Sequence, residues 1–256
     1  QIRKRINMEL VSQHNHTGLT GHGEGTIEQL ITQASKLGMT NVAITEHYPL
    51  SKEIDPPNYI SMPWSLLDTY KQQILEERAK HPEMEILVGC ELDWLGEDED
   101  REFASDQFDD FDIILGSVHY LDLWPFDDPA QRGHWEEVGA RHIWDRYFEV
   151  WCQAVTSSAP FTVMAHPDLV KKFNIYPEGD WKKYYAQAAE AAHAGDRMIE
   201  VNTSGLHYAC KEMFPQQDLL REFCKAGIPC TIGSDAHTAL HVNRGIVEGY
   251  RGSKLV

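Results

Sequence analysis

Seven short apolar, β-rich runs alternate with longer stretches of helical periodicity, and this alternation restricts the chain to few folds. The runs are Glu9–Gln13, Asn41–Thr45, Glu85–Leu92, Asp112–Val118, Phe161–Ala165, Met198–Asn202 and Cys230–Ile232. Between them Thr26–Leu37, Trp64–Lys80, Gly139–Thr156, Trp181–Ala194 and Gln216–Lys225 read as helices. Strands separated by helices pair in parallel through right-handed crossovers. Seven of them within 256 residues predict a closed or nearly closed α/β barrel in a single domain rather than an open sheet. Thr26 and Gln29 have the spacing of a capping box. Gly38, Gly195 and Gly227 stand where helix-ending glycines belong.

Polar residues gather where the apolar runs stop. The first run ends in Gln13-His14-Asn15-His16 and leads into "HNHTGLTGHGEGT", which adds His22. The second ends in Thr45-Glu46-His47, the third carries Glu91, and the fourth ends in Ser117-Val118-His119. His166-Pro167-Asp168 closes the fifth and Ser234-Asp235-Ala236-His237 the seventh. Barrel enzymes keep their active sites at the C-terminal ends of the strands. A solvated loop accounts for one such histidine, but not for seven of the 13 in these positions. Alternate strand residues face the same way, so His14 and His16 can grip one ion, and Asp235 and His237 share that spacing. Imidazole with carboxylate and no thiolate suits divalent Zn, Mn or Fe. The donors exceed the needs of one ion, which predicts a multinuclear centre with a carboxylate such as Glu91 bridging.

Forty acidic residues against 23 basic ones give a net charge of −17, which repels nucleic acid and anionic membrane. A phosphate-bearing substrate would then need a local positive source, and bound cations can supply it. The five cysteines form no CxxC pair, and no apolar run approaches the ~18 residues of a membrane span. With no signal peptide visible, a cytoplasmic enzyme is expected. Residues 1 to 7 read as either a native start or an appended remnant, and the acidic run Gly96–Glu102 as a solvated loop. The Trp-, Pro- and Asp-rich segment Leu121–Trp135 reads as either a lid or an ordered surface loop.

Taken in order, HxH at 14 and 16, His22, "TEH" at 45–47, Glu91, "SVH" at 117–119, "HPD" at 166–168 and "SDAH" at 234–237 resemble the polymerase-and-histidinol-phosphatase (PHP) family. The resemblance runs from the first strand nearly to the chain end. It implies a distorted (β/α)7 TIM-like barrel spanning residues 1–256, with three divalent ions. On matching positions, His14, His16, Glu91 and Asp235 would hold one ion. Glu91, His119 and His166 would hold the second, and His22, His47 and His237 the third. Within the family, "MPWSLLDTYKQQI", "HPDLVKKF" and "IEVNTSGL" look most similar to the histidinol-phosphate phosphatase branch. That branch tends to carry a basic residue after "NTSGL", where this chain has His207. Arg197, Lys171, Lys172 and Arg244 are the other candidates for holding phosphate.

The expected activity is hydrolysis of a small phosphorylated metabolite. A water shared by the ions would ionise near neutral pH and attack phosphorus in line. Glu91 would bridge, and Asp235 or His237 would pass a proton to the leaving alkoxide. Glu46 and Asp168 would orient imidazole N–H groups from behind. His81, His134, His142, His193 and His241 read as surface or packing residues. The competing readings are a cyclic-phosphate or phosphodiester hydrolase on the same scaffold, and a non-catalytic metal-binding module. A metal-dependent amidohydrolase also begins with HxH, but Glu91 and the third histidine set disfavour it.

Overall fold

Seven parallel strands form one sheet in the order β1-β2-β3-β4-β7-β8-β9 in a computed structural model that describes residues 9–96 and 107–254. They are β1 (Val11–Ser12), β2 (Asn41–Ile44), β3 (Glu85–Asp93), β4 (Ile113–Ser117), β7 (Val163–Met164), β8 (Met198–Asn202) and β9 (Cys230–Gly233). The edges meet. Gln13 N donates to Ile232 O at 2.9 Å, and Asn15 bridges Ala236 in parallel. Beyond that bridge Asp235 N donates to His14 O at 2.9 Å. All seven expected strands are present, and the barrel is a distorted one because β1 and β7 are only two residues long.

The helices are α1 (Ile27–Lys36), α2 (Leu67–Lys80), α3 (Arg132–Val138), α4 (Ala140–Thr156), α5 (Lys183–Gly195), α6 (Gln217–Lys225) and α7 (Ile246–Lys254). Both capping-box bonds form at α1, Gln29 N to Thr26 Oγ1 at 3.2 Å and Thr26 N to Gln29 Oε1 at 3.0 Å. Trp144, Tyr147, Phe148 and Trp151 repeat at helical spacing along α4, and all four are fully buried. Phe148 stacks on Tyr184 of α5 with ring centroids 5.0 Å apart.

The expectations differ from the structure in three places. Gly195 is still helical, and the left-handed turn falls on Asp196 at φ 52°. Glycine is required at 195 for another reason: a Cβ there would stand 2.1 Å from Val155 O, where α5 crosses the end of α4. Helices α3 and α7 were not anticipated. The segment Leu121–Trp135, expected as a lid or an ordered surface loop, has regular structure, and its Pro125, Asp127, Asp128 and Pro129 line the cavity at the barrel mouth. It contains most of the hairpin of β5 (Tyr120–Leu121) and β6 (Trp124–Pro125), followed by α3. Trp135 Nε1 donates to Phe126 O at 2.7 Å, and both side chains are buried. Of the acidic run Gly96–Glu102, everything after Gly96 lies outside the described residues.

Side-chain alternation divides the barrel interior into two levels. Ala43, Ile113, Leu115, Val163 and Ala165 pack together as an apolar floor. One step further along the strands the residues sharing that direction become Glu91, Asp93, Ser117, Glu200 and Asn202, all buried. The outward residues Cys90, Leu92 and Ile199 pack into the main apolar core cluster with α4, and Val201 into a smaller one with Leu220 of α6 and Ile246 of α7.

Candidate metal centre

Glu91 stands at the middle of the mouth of the barrel, and its two oxygens face different partners. Oε1 lies 2.9 Å from His166 Nε2 and 3.6 Å from His119 Nε2, and it accepts from Ser117 Oγ at 2.5 Å. Oε2 lies 3.2 Å from Nε2 of both His14 and His16 and 3.1 Å from His47 Nδ1. Asp235 closes the second set, with Oδ1 3.5 Å from His14 Nε2 and 3.4 Å from His16 Nε2. His237 Nε2 and His22 Nε2 are 3.0 Å apart at the rim. His166 and Asp235 take positive φ, 27° and 51°, a conformation uncommon outside glycine but one in which Asp and His are enriched.

The donor chemistry fits cations. His14 Nδ1–H donates to Glu200 Oε1 at 2.8 Å, and His119 Nδ1–H to Asp93 Oδ1 at 2.7 Å. His237 and His22 use Nδ1 on the carbonyl oxygens of Asp235 and Tyr59, both at 3.2 Å. In all four rings this leaves Nε2 turned inward as the atom a cation would take. Lone pairs facing each other at 3.0 Å, as in His22–His237, repel unless a positive charge lies between them. Four groups, His14–His16–Asp235, His14–Glu91–His166, His47–Glu91–His119 and His16–His47–His237, each bring their donor atoms within 4.8 Å of one another.

Electrostatics separate the ligands into two kinds. Burial opposes charge on His14, His16 and His119, but nearby carboxylates outweigh it. Glu200, Asp235 and Glu91 hold His14 well above its ordinary value, Asp235 and Glu91 bring His16 to about 9, and Asp93 and Glu91 bring His119 to about 10. Burial, reinforced by the charge on His16, lowers His237 to about 3, and burial holds His47 well below and His22 below the ordinary value. The carboxylate side therefore attracts cations, whereas the rim offers three neutral imidazoles. Glu91 and Asp235 stay ionised despite burial because the imidazoles around them lower their pKa.

The PHP domain family model matches residues 12–204. The chain belongs to the PHP family. A Deinococcus radiodurans relative named "Probable histidinol-phosphatase" is 31% identical, over 89% of this chain and 86% of the relative. A Schizosaccharomyces pombe protein of the same name is 25% identical, over 89% and 80%. Histidinol phosphate phosphatase of Lactococcus lactis, solved with zinc, L-histidinol and phosphate, has the same fold at a TM-score of 0.76 and 21% identity, covering 96% of this chain and 93% of that one.

Within this PHP barrel the nine metal-ligand candidates come together at the C-terminal mouth, where a cavity of about 710 Å³ opens beside them. The five phosphate-binding candidates divide. Lys172, His207 and Arg244 line the cavity. Arg197 does not: it immediately precedes β8 at the opposite end of the barrel and donates to the carbonyl oxygens of Phe161, Ser157 and Ala159. Lys171 is also excluded, being buried against Asp168 Oδ2 at 2.7 Å and Met213 O at 2.6 Å. Asp168 touches no imidazole; it accepts from Lys171 and from Gln216 N at 2.9 Å, fixing the segment after β7. Glu46 lies behind His16 at 3.9 Å and accepts from Thr17 N and Oγ1 at 2.6 Å, so it holds the first loop more than the ring. His241, read as a bystander, lines the cavity.

Sequence reasoning missed Glu200 and Asp93. Glu200 accepts from His14 Nδ1 with one oxygen and from His166 N at 2.9 Å with the other, joining two strands behind the ligands. Gly233 makes this possible, since a Cβ there would stand 2.1 Å from Glu200 Oε1. The signal was present in "CELD" and "IEVN", where acidic or amide residues two apart interrupt apolar strands on the inward side.

Proposed function

We propose that the protein is a metal-dependent phosphomonoesterase of the histidinol-phosphatase type, working with three divalent ions, Zn, Mn or Fe. The observation that carries this reading is the straddling carboxylate of Glu91, one oxygen toward His119 and His166, the other toward His14, His16 and His47. His14, His16, Glu91 and Asp235 would hold one ion, Glu91, His119 and His166 a second, and His22, His47 and His237 a third. The ions would supply Lewis-acid neutralisation of a phosphate dianion and activation of water. The naming of the Deinococcus and Schizosaccharomyces relatives as histidinol-phosphatases supports the monoester substrate class, as does the phosphate and L-histidinol in the Lactococcus structure.

The chain's own residues set the stage for that chemistry. Glu200 and Asp93 fix the tautomers of His14 and His119, and Ser117 holds Glu91 in place. Asp235 Oδ2 accepts from Asn202 Nδ2 and Ser204 Oγ, both at 3.3 Å, which leaves Oδ1 on the ligand side. Of the two expected proton carriers, both of which line the cavity, His237 is held neutral with Nδ1 on the Asp235 carbonyl and would give Nε2 to an ion, so Asp235 would relay the proton from water to the leaving alkoxide. The test is phosphate release by metal-loaded protein from L-histidinol phosphate and other monoesters, beside cyclic phosphates and diesters. Monoester turnover that is abolished by chelation is expected; hydrolysis confined to diesters would replace this reading with the diesterase one.

A further inference from the structure

Arg244 is the one charged residue lining the cavity, outside the metal-ligand set, whose side chain has no partner among the described residues. Asp55 is consumed within its own loop, accepting from the backbone N of Tyr59, Ile60 and Ser61 at 2.8–3.0 Å. Asp128 accepts from Ala130 N at 2.8 Å, and Asp127 pairs with Lys172 Nζ at 2.8 Å. That pair leaves Lys172 with little unspent charge. The Arg244 guanidinium makes no ion pair among the described residues, and its buried Nε has no hydrogen-bond partner.

The backbone beneath Arg244 is fixed. Arg244 N donates to His241 O at 2.9 Å, so one short 3₁₀ turn, Ala239–His241, sets the spacing of His241 and Arg244. Arg244 O accepts from Thr203 Oγ1 at 2.6 Å. Gly245, at φ 75°, lies so close to Thr203 that a Cβ would come within 2.8 Å of it. Another 3₁₀ turn, Ser204–His207, brings His207 to the same wall. Partial burial, and after it the charge of Arg244, lowers the pKa of both His207 and His241. Lys172 Nζ, by contrast, lies 2.8 Å from Asp127 Oδ2 and 4.8 Å from the centre of the Tyr208 ring, so its charge is already engaged on the cavity lining.

We infer that Arg244, flanked by His207 and His241, is a second anion subsite that selects phosphomonoesters whose leaving group bears its own negative charge, a carboxylate or a second phosphate. This rests on the phosphoesterase reading above. A guanidinium offers a planar pair of donors to either anion, and without substrate nothing on the wall satisfies it. L-histidinol phosphate, whose leaving group carries an ammonium, would gain nothing there.

The test uses metal-loaded full-length protein and matched pairs: O-phosphoserine against O-phosphoethanolamine, and glycerol bisphosphate against glycerol phosphate. In wild type the anionic member of at least one pair should lead in kcat/KM by about tenfold. Arg244→Gln should collapse that ratio and Arg244→Lys should keep part of it. Calorimetric titration with the inert phosphonopropionate, propylenediphosphonate and ethylphosphonate provides a readout independent of turnover. The pair and the phosphonate that respond identify the anion as carboxylate or phosphate. If Arg244→Gln weakens all ligands alike, Arg244 holds the scissile phosphate and the subsite is overturned. Equal rates and affinities within every pair in wild type overturn it too. A binding preference that vanishes in Arg244→Gln, with no monoester hydrolysed, keeps the subsite and rejects the phosphomonoesterase reading instead.

Discussion

His14, His16 and Glu91 sit on or just past the barrel's own strand ends and are almost wholly buried, whereas His22 is carried on an exposed loop and His237 is about a quarter exposed. The inner ligands are positioned by strand register and by carboxylates behind them. His22 is placed by one bond to a carbonyl of the loop after β2, Tyr59 O. The inner set is thus preorganised by the fold itself, while the rim depends on two loops keeping their place. Affinity for metal should follow the same gradient, strongest around Glu91 and weakest at His22.

The largest effect should come from Glu91→Ala, which removes both halves of the junction between the inner groups. Phosphate release should fall by more than about 100-fold, together with loss of more than one ion. Retention of most activity would place the bridge elsewhere. Next is Glu200→Ala, which frees the His14 ring and the His166 backbone without touching the cavity. Metal affinity, measured by competition with a chelator, should weaken by about 10- to 100-fold, since the tautomer of His14 is no longer fixed. His22→Ala should act on the rim alone, releasing the most weakly held ion while the inner ions stay. Simultaneous release of all ions would erase the distinction between the two regions.

Acid should discriminate between them as well. Neighbouring carboxylates, outweighing burial, raise His16 to about 9 and His119 to about 10, so without metal each would carry a proton at neutral pH that an incoming cation must displace. Inner-site affinity should therefore rise with pH up to about 9, by about tenfold per pH unit for each proton released. The rim imidazoles, held below their ordinary values, are already neutral at pH 7 and should show little dependence there. Equal pH slopes at the two regions would contradict this. The smallest predicted effect lies outside the centre: Gly195→Ala should lower stability by about 1–3 kcal/mol through its clash with Val155 O, measured by denaturant unfolding.

The inner ligands could be read in the sequence because most of them end or closely follow an apolar run, and the C-terminal ends of parallel strands face one mouth. The fold was legible for the same reason, down to each of the seven barrel strands. What lay inside the strands was hidden. Glu200 and Asp93 look like isolated polar interruptions until the barrel closes and shows them behind His14 and His119. Arg197 was a candidate only as a basic residue, and it fails because it precedes its strand and so stands at the opposite end of the barrel. Asp168 follows His166 in sequence, yet at φ 27° the chain turns and sends its carboxylate to Lys171 instead. The unpaired state of Arg244 cannot be read from sequence at all, because it depends on where every carboxylate of the cavity has found a partner.

Elemental analysis of protein equilibrated with excess zinc and then freed of loosely bound ion tests the central claim most directly. Nine ligands joined through Glu91 predict about three equivalents in the wild type. In Glu91→Gln that number should drop by at least one, because the amide offers a single oxygen and no charge in place of the carboxylate that serves both inner groups. One equivalent or fewer in the wild type would contradict the account.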